Sequence, residues 1–287
     1  MTAVAELTSR LTGHGDGDVR GDSHDQENGY DAGQYHDPKI TGATIGQVYD
    51  SYADSYEDGA EETRQRTFQR DVFNRFPHHG FTLDLGCGTG GAGMLIRQSP
   101  LNSSSASGNV GGPGDASTRP NVYVHGVDVS ARMLNRPWCV RYYDSTQRGL
   151  IQDVLMDPDA AWLQHAVRTG AAESGGLSAG PVVDHITCFG ALHFLDPSQF
   201  EAVLSRVFVL ARRSVMFDID DFCPFYMQHV LENLGEGFRN YNHMAAYRKF
   251  GTPPGWAKVA EEEAVLYRME NCGVDVRGVL VRFERVD

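Results

Sequence analysis

The stretch Phe81-Thr-Leu-Asp-Leu-Gly-Cys-Gly-Thr-Gly-Gly91 decides the fold of this chain. It predicts a buried strand that runs directly into a glycine-rich turn, and residues 92–98 predict a helix behind it. Glycine lacks a Cβ atom, so such a turn lets the backbone approach a ligand closely, and the following helix offers free N–H groups at its start. A strand, a glycine turn and a helix N-terminus together predict a nucleotide-binding site.

Strand-like and helix-like segments alternate along the rest of the chain. The predicted strands cover residues 81–85, 122–128, 149–153, 182–189 and 213–221, followed by a closing pair at 264–269 and 274–285. This alternation predicts an α/β, doubly wound parallel sheet of Rossmann-like type, with ligands at the carboxyl ends of the strands. The closing pair is expected to be antiparallel at one edge of the sheet.

Composition divides the chain into a tail and one domain. Residues 1–42 are rich in Gly, Asp, His and Ser, so we expect a disordered N-terminal tail. Residues 43–287 are expected to form a single domain. Within it, the tyrosine-rich segment 46–76 is interpreted as a lid over the glycine turn, and the aromatic segment 222–258 as a cover over a substrate. Residues 100–120 read as a low-complexity insertion in a loop.

Charge and cysteine usage exclude several classes of partner. The net charge of −13 argues against a nucleic-acid partner, because phosphate binding requires a basic surface. No apolar run is long enough to span a bilayer, so no membrane partner is expected, and the first residues have no apolar signal core. The five scattered cysteines fit reduced thiols in a cytoplasmic protein, and no clustered Cys/His spacing suggests a metal site.

Three carboxylates distinguish between possible nucleotides. The glycines also match G-x-G-x-x-G, which taken alone is compatible with a dinucleotide. However, Asp84 lies within the first strand, where it would repel a pyrophosphate. A carboxylate after the second strand, Asp128, suits the two hydroxyls of a ribose, and Asp153 suits the exocyclic amine of an adenine. Asp84 can face a cationic ammonium group, so the pattern favours a cationic nucleoside without phosphate.

Several stretches together resemble the successive motifs of class I S-adenosylmethionine-dependent methyltransferases. They are Leu83-Asp-Leu-Gly-Cys-Gly-Thr-Gly90, Val127-Asp-Val-Ser130 with Met133-Leu134, Gln152-Asp-Val154, and Phe189-Gly-Ala-Leu-His-Phe-Leu195. The segment Tyr49-Asp-x-x-Ala53-x-x-Tyr56-Glu57 resembles the entry motif of the small-molecule branch that includes the ubiquinone and menaquinone methyltransferases. The resemblance covers roughly residues 46–220 and the closing strand pair.

The resemblance implies a seven-stranded, mostly parallel sheet with an antiparallel C-terminal strand, and one bound S-adenosyl-L-methionine. It implies methyl transfer to an O, N or S atom of a small-molecule metabolite. The residues implied to contact the cofactor are Tyr49, Tyr56, Asp84, Gly86, Cys87, Gly88, Gly90, Asp128, Val129, Met133, Asp153, Val154 and Phe189. Alternatively, Asp128 and Asp153 serve as helix-capping acids, and Phe189 belongs to the core.

The acceptor side of the site is less specific in the sequence. His193 follows the fourth strand, where it serves either as a base or as a structural, substrate-shaping residue. The candidates for contact with the acceptor are Asp220, Asp221, Tyr241, His243, Tyr247 and Trp256. The aromatic members of this set could instead belong to an amphipathic cover helix. The aspartates at 218, 220 and 221 could hold a divalent metal, although no further acid is placed to complete such a site.

Two other functions remain compatible with the sequence. The chain could keep the methyltransferase fold without transferring a methyl group, as a cyclase or a binding protein. An NAD-dependent oxidoreductase is the other alternative, which the position of Asp84 disfavours.

Overall fold

A seven-stranded sheet forms the centre of the protein. The structure, a computed structural model, describes residues 44–54, 56, 64–103, 122–168, 181–269 and 273–286. The predicted tail at residues 1–42 and most of the 100–120 insertion lie outside these ranges. The strands are β1 (Gly80–Leu85), β2 (Val122–Asp128), β3 (Ser145–Arg148), β4 (Val183–Cys188), β5 (Ala211–Asp221), β6 (Trp256–Met269) and β7 (Val274–Arg285).

The strand order is β3-β2-β1-β4-β5-β7-β6. Strands β1 to β5 run parallel to one another, and β7 pairs antiparallel with both β5 and β6. The prediction of a mostly parallel sheet with an antiparallel C-terminal strand is therefore confirmed. The chain reverses its direction across the sheet between β1 and β4, and a crevice opens at such a reversal beyond the carboxyl ends of the strands.

Helices cover both faces of the sheet. They are α1 (Ile45–Tyr52), α2 (Arg64–Arg75), α3 (Gly91–Gln98), α4 (Pro100–Ser103), α5 (Ala131–Leu134), α6 (Pro137–Tyr142), α7 (Ile151–Met156), α8 (Ala161–Arg168), α9 (Pro197–Leu210), α10 (Pro224–Leu234) and α11 (Met244–Phe250), with short 3-10 turns at Leu192–Phe194 and Glu236–Phe238. None of the helices that the structure describes has the length and apolar character needed to cross a bilayer.

The central strand β1 is buried on both faces, as expected of a parallel strand between helical layers. Phe81, Leu83 and Leu85 belong to a core cluster with residues of α7, α8 and α9. The opposite cluster contains residues of α1, α2, α3 and α10. Because side chains alternate along a strand, Thr82 and Asp84 belong to this second face. A carboxylate thus lies in the middle of the sheet.

The third strand was predicted at the wrong position. The prediction chose residues 149–153, whereas β3 is Ser145–Arg148 and residues 151–156 form helix α7. The observed strand is short and polar, with alternate residues exposed. Strand β3 pairs with β2 at the edge of the sheet, so it does not require apolar residues. The prediction was misplaced because it followed the apolar residues Leu150 and Ile151.

The segment 222–258, interpreted from the sequence as a cover over a substrate, has regular secondary structure. It contains helices α10 and α11, and strand β6 already begins at Trp256 rather than at residue 264. Helix α10 packs inward through Tyr226, Val230 and Leu234, which are completely buried. The segment therefore belongs to the helical layer beside β5 and to the edge of the sheet.

Tyr143 connects the sheet to helix α3. Its ring lies against two glycines: a Cβ atom at Gly93 would lie 2.3 Å from the ring, and one at Gly126 would lie 2.7 Å from it. Its hydroxyl accepts a hydrogen bond from the N–H of Gly93 at 3.0 Å and donates one to the carboxylate of Asp84. The two glycines thus make the space for the tyrosine that holds Asp84.

Replacing Gly93 with alanine tests this arrangement. Alanine normally stabilises a helix interior by about 1 kcal/mol relative to glycine. Here the new methyl group collides with a buried ring, so we expect the free energy of unfolding to fall by about 1–3 kcal/mol. Chemical denaturation followed by circular dichroism measures it. The control is Ser205→Ala on the exposed side of α9, expected to change stability by less than about 0.5 kcal/mol. A stabilised Gly93→Ala variant would contradict the packing described.

Candidate functional site

Two clefts meet at the glycine turn after β1. The first has a volume of about 720 Å³ and the second about 660 Å³, open solvent included. Both clefts are lined by Tyr56, Gly86, Gly88, Phe189 and Gly190. They therefore form one continuous groove at the crevice where the strand order reverses.

The glycine turn is fixed to the neighbouring strand. The N–H groups of Gly86 and Cys87 both donate to the carbonyl of Val127, at 2.8 and 2.9 Å. Gly86 has a φ of +69° and an added Cβ atom would lie 2.5 Å from the Cβ of Ala191, so only glycine fits there. Gly90, with a φ of +102°, precedes helix α3 and packs against the backbone of Cys139. Gly90 supports the turn and does not line either cleft.

Asp128 lies at the end of β2 and lines the first cleft. Its carboxylate accepts hydrogen bonds from the N–H of Gly88 at 2.9 Å and from the N–H of Ser130 at 2.8 Å. Burial raises the pKa of Asp128 to about 6 despite these bonds. Each carboxylate oxygen accepts more than one hydrogen bond, so both keep capacity for a ligand. The adjoining wall is apolar and contains Val129 and Met133.

Asp84 lines the second cleft from below. Its side chain is only 2% exposed, and it accepts hydrogen bonds from the hydroxyls of Thr187 and Tyr143. Burial is the largest influence and raises the pKa of Asp84 to about 6, against the two hydrogen bonds that lower it. Cys87 lines the same cleft and is buried, which raises the pKa of its thiol well above the ordinary value.

Helix α1 covers the first cleft with Ile45, Tyr49 and Tyr56, the last of these just beyond the helix. The helix is attached to the segment after β2, since Asp50 accepts hydrogen bonds from the hydroxyl of Ser130 and from the N–H of Arg132. The sequence interpretation of Tyr49 and Tyr56 as neighbours of the glycine turn agrees with this placement. Whether the segment opens and closes as a lid remains a prediction.

Besides Gly90, two predicted cofactor contacts do not line the groove. Asp153 is exposed in the first turn of α7, not at the end of a strand, because β3 ends five residues earlier. Val154 is 4% exposed in the core, where its carbonyl accepts a hydrogen bond from the indole of Trp162 at 3.0 Å. Neither residue lines a cleft. The strand exit on which the Asp153 assignment depended is misplaced, and contact of either residue with a cofactor remains a prediction.

Sequence reasoning missed two sets of groove residues. After β3, the first cleft is lined by Gly149, Leu150, Ile151 and Gln152. A correct position for β3 would have identified them as residues at a strand exit. The second set lies on helix α2 and lines the second cleft: Gln65, Arg66 and Gln69. The amphipathic pattern of α2 gave no sign of it, because the pattern marks only the apolar side.

Arg66 lies directly against the start of helix α3. A Cβ atom added at Gly91 would come within 1.8 Å of its guanidinium group. The side chain is buried, which lowers the pKa of Arg66, while the nearby Tyr56, Tyr143 and Asp84 act in the opposite direction. Its guanidinium also lies 5.7 Å from the ring centre of Trp138. A fixed cation therefore borders the same cleft as Asp84.

His193 and Asp220 form a buried pair beside the first cleft. The Nδ1 atom of His193 donates to Oδ2 of Asp220 at 2.7 Å, and the two side chains are 4% and 2% exposed. The neighbours of His193 in the chain, Ala191, Phe194 and Leu195, line the cleft. Within the described ranges, the Nε2 atom of His193 and the Oδ1 atom of Asp220 have no hydrogen-bond partner.

The other two aspartates of β5 have different surroundings. Asp218 is buried and accepts hydrogen bonds from the N–H of Gly190 at 2.8 Å and from the amide of Gln65 at 2.6 Å. Burial, followed by the charge of Asp220, raises the pKa of Asp218 to about 8, so it is mostly protonated at neutral pH. Asp221 is exposed and accepts a hydrogen bond from Asn242. The three carboxylates therefore do not converge on one metal position.

The remaining predicted acceptor contacts do not line either cleft. His243 stacks on Phe200 with ring centres 4.1 Å apart, and its Nε2 atom is 2.9 Å from the carbonyl of Leu195. Tyr241 contributes a backbone hydrogen bond to the carbonyl of His193 at 2.8 Å. These two residues thus support the His193 segment from behind.

Tyr247 and Trp256 lie farther from the groove, in the core beside β5 and β6. The hydroxyl of Tyr247 donates to Glu261 at 3.0 Å. Trp256, the first residue of β6, packs edge-on against Phe208 with ring centres 5.1 Å apart. Helix α11 and strand β6 direct these two side chains into packing, and their contact with an acceptor remains a prediction.

Comparison with solved structures identifies the fold. A chain from the complex between the Haloferax volcanii Trm112 methyltransferase activator and the putative methyltransferase matches with a TM-score of 0.51 and 11% identity, covering 85% of this chain and 97% of that one. The chain has the fold of the class I methyltransferases. Neither a protein-family model nor a curated protein matches the sequence.

Two further solved structures are similar at lower TM-scores. One is an S-adenosylmethionine-dependent methyltransferase from Anabaena variabilis, with a TM-score of 0.49 and 13% identity, covering 85% of this chain and 96% of that one. The other is the magnesium protoporphyrin IX methyltransferase of Synechocystis with bound S-adenosylhomocysteine, with a TM-score of 0.45 and 15% identity, covering 86% and 91%.

The buried carboxyl of Asp84 predicts a pH-dependent effect of Asp84→Asn. Folding raises its pKa from 3.8 to about 6, so the native protein favours the protonated form. As the pH rises from about 4 through 6, the wild type loses stability that the asparagine variant keeps, up to about 3 kcal/mol. Above this window the difference is constant. Urea denaturation of both proteins at a series of pH values measures it. A difference that does not change with pH would contradict the assigned burial of the charge.

Proposed function

We propose that the protein is an S-adenosylmethionine-dependent methyltransferase that acts on a small-molecule metabolite. The observation that carries the proposal is the pair of carboxyls on opposite sides of one glycine turn. Asp128 lines the first cleft and the buried Asp84 lines the second. A ligand that spans the turn therefore meets hydrogen-bond acceptors at both ends, which suits a ribose diol at one end and an ammonium group at the other.

The groove residues fit this cofactor on each side of the turn. Asp128 would accept the ribose hydroxyls, while Met133, Leu150 and Phe189 offer apolar surface for the adenine ring. In the second cleft, Asp84 would face the ammonium group and Arg66 the carboxylate of the methionine part. The two fixed charges of this cleft thus have the signs that an amino-acid zwitterion requires.

The same residues disfavour an NAD-dependent oxidoreductase. A dinucleotide places its pyrophosphate at the glycine turn and the following helix. In this protein the position next to that turn holds the buried Asp84, which accepts hydrogen bonds from the neutral hydroxyls of Thr187 and Tyr143. Bringing a pyrophosphate close to a buried carboxylate is unfavourable unless the carboxyl takes up a proton.

The protein would align the acceptor with the methyl group of the cofactor and exclude water from the groove. When bound, S-adenosylmethionine supplies an electrophilic methyl group on a sulfonium. Tyr49 and Tyr56 cover the groove, and Phe194 closes it from the side of β4. Holding the two reactants in line within a closed site lowers the entropic barrier to transfer. A small acceptor fits this covered site, and the net charge of −13 disfavours a nucleic-acid acceptor.

We also propose that the protein functions in the cytoplasm. The described cysteines Cys87, Cys139, Cys188 and Cys223 are free thiols, and three of them are buried. Free buried thiols persist in a reducing compartment.

Asp128→Ala tests the proposed ribose contact. Loss of hydrogen bonds to a charged acceptor is expected to weaken S-adenosylhomocysteine binding by roughly 10-fold to 100-fold. Isothermal titration calorimetry measures the dissociation constant. The matched control is Asp153→Ala, because Asp153 was expected in the site from sequence but is exposed outside the groove. An unchanged affinity in Asp128→Ala, or a loss in Asp153→Ala as large, would contradict the proposed position of the nucleoside.

Arg66→Met tests the proposed orientation of the methionine part. The variant keeps much of the apolar stem but lacks the charge, so S-adenosylmethionine should bind roughly 10-fold more weakly or worse. Decarboxylated S-adenosylmethionine has no carboxylate, and its affinity should be nearly the same in both proteins. Calorimetric titrations with the two ligands give the comparison. An equal loss for both ligands would show that Arg66 supports the fold of the cleft and does not bind the carboxylate.

A further inference from the structure

The buried pair of His193 and Asp220 presents two hydrogen-bond acceptors without partners. Because Nδ1 of His193 donates to Asp220, the neutral imidazole carries its lone pair on Nε2. Oδ1 of Asp220 is also an acceptor, and neither atom has a partner in the described part of the chain. An unsatisfied buried polar atom is energetically costly, so two adjacent ones indicate a place for a ligand that donates hydrogen bonds.

Aromatic rings surround this pair. The ring centre of His193 lies 4.2 Å from that of Phe194 and 5.2 Å from that of Phe222. Tyr49 of helix α1 lies edge-on to Phe194 at 6.0 Å and is tilted toward Phe238 at 5.8 Å. Rings at these separations form favourable contacts with further planar groups. The pair is covered in this structure, so an acceptor must displace part of this aromatic cover to reach it.

The charges around the pair exclude an anionic acceptor. Asp218 lies on the same face of β5, two residues before Asp220. It is a carboxyl group, so it contributes no positive charge near the pair. The hydroxyls of Tyr49 and Tyr267 and the ring of His243 all experience the charge of Asp220. None of these groups is a fixed cation. A carboxylate or phosphate at this position would therefore be repelled, whereas a neutral donor would be accepted.

We propose that the acceptor of the methyl group is a neutral hydroxyl on a planar ring, that His193 is its general base, and that Asp220 positions the imidazole. This inference rests on the proposed methyltransferase function. A hydroxyl oxygen is weakly nucleophilic until its proton is removed, so a base contributes directly to its methylation. A neutral amine attacks through its own lone pair and gains less from such a base.

The proposed methyl transfer needs no further reactant, because His193 takes up the proton that the acceptor loses. The O–H bond of the acceptor breaks and its proton moves to Nε2 of His193. The acceptor oxygen forms the new bond to the methyl carbon, and the electron pair of the broken S–C bond stays on sulfur. The imidazolium that results is stabilised by Asp220, whose carboxylate remains hydrogen-bonded to Nδ1.

The test compares acceptors that need a base with one that does not. The protein, loaded with methyl-labelled S-adenosylmethionine, is offered phenol, catechol, aniline and benzoate. We expect label on hydroxylated rings and none on benzoate. In His193→Gln, kcat for phenol and catechol should fall roughly 100-fold or more. For aniline, whose nitrogen attacks through its own lone pair, any turnover should fall far less. Equal losses for both kinds of acceptor, or label on aniline alone, would overturn the inference.

Control variants separate chemistry from folding. Glu201→Gln changes an exposed carboxylate on helix α9 and should leave kcat unchanged. Asp220→Asn should lower kcat with little effect on KM. Calorimetry with S-adenosylhomocysteine should give the same affinity in the wild type and in all three variants. Failure of the wild type to bind this ligand would contradict the proposed function itself, whereas normal binding with a failed acceptor test contradicts only the present inference.

Nuclear magnetic resonance gives a result that does not depend on turnover. In the complex with S-adenosylhomocysteine, the ¹⁵N signals of His193 should show a protonated Nδ1 and a bare Nε2. Addition of catechol should shift the Nε2 signal, and addition of benzene should not. In Asp220→Asn the fraction of the Nδ1–H tautomer should fall. An Nε2–H tautomer in the wild type, or an Nε2 signal that no hydroxylated probe moves, overturns the inference even if no probe is methylated.

Discussion

The burial of the Asp84 carboxylate in the middle of the sheet is the constraint on which the site depends. The side chain belongs to the central strand, and hydroxyls from Thr187 on β4 and Tyr143 before β3 hold it. Tyr143 fits only because Gly93 and Gly126 leave space for its ring. Three strands and helix α3 are therefore arranged around one carboxylate. The cationic ligand proposed for this groove would offset the cost of burying that charge.

A second set of acids lies at the exit of β5, and the charges of these acids are compensated in a different way. Asp218 is held by the N–H of Gly190 and by Gln65, and its raised pKa keeps it mostly protonated at neutral pH. Asp220 is instead compensated by His193. Two full negative charges do not lie side by side, because Asp218 is mostly protonated and Asp220 accepts a hydrogen bond from the imidazole of His193. This division leaves hydrogen-bond acceptors, not metal ligands, on the acceptor side of the groove.

The sequence predicted those parts of the fold that local patterns determine. The strand before Gly86, the strand before Asp128 and the closing antiparallel pair are all confirmed, because their apolar and turn residues are contiguous. The third strand was misplaced, since a short polar edge strand has no such pattern, and Asp153 was assigned to the site as a consequence. The pattern of α2 marked its apolar side and so could not reveal Arg66. The pairing of His193 with Asp220 depends on the neighbouring positions of β4 and β5.

The account has one central claim: the groove binds a cationic nucleoside without phosphate. Calorimetric titration of the wild-type protein with S-adenosylmethionine, S-adenosylhomocysteine and NAD tests it most directly. The account predicts saturable binding of both sulfur ligands with one site per chain, and no saturable binding of NAD at the same concentrations. Binding of NAD without binding of either sulfur ligand would contradict it.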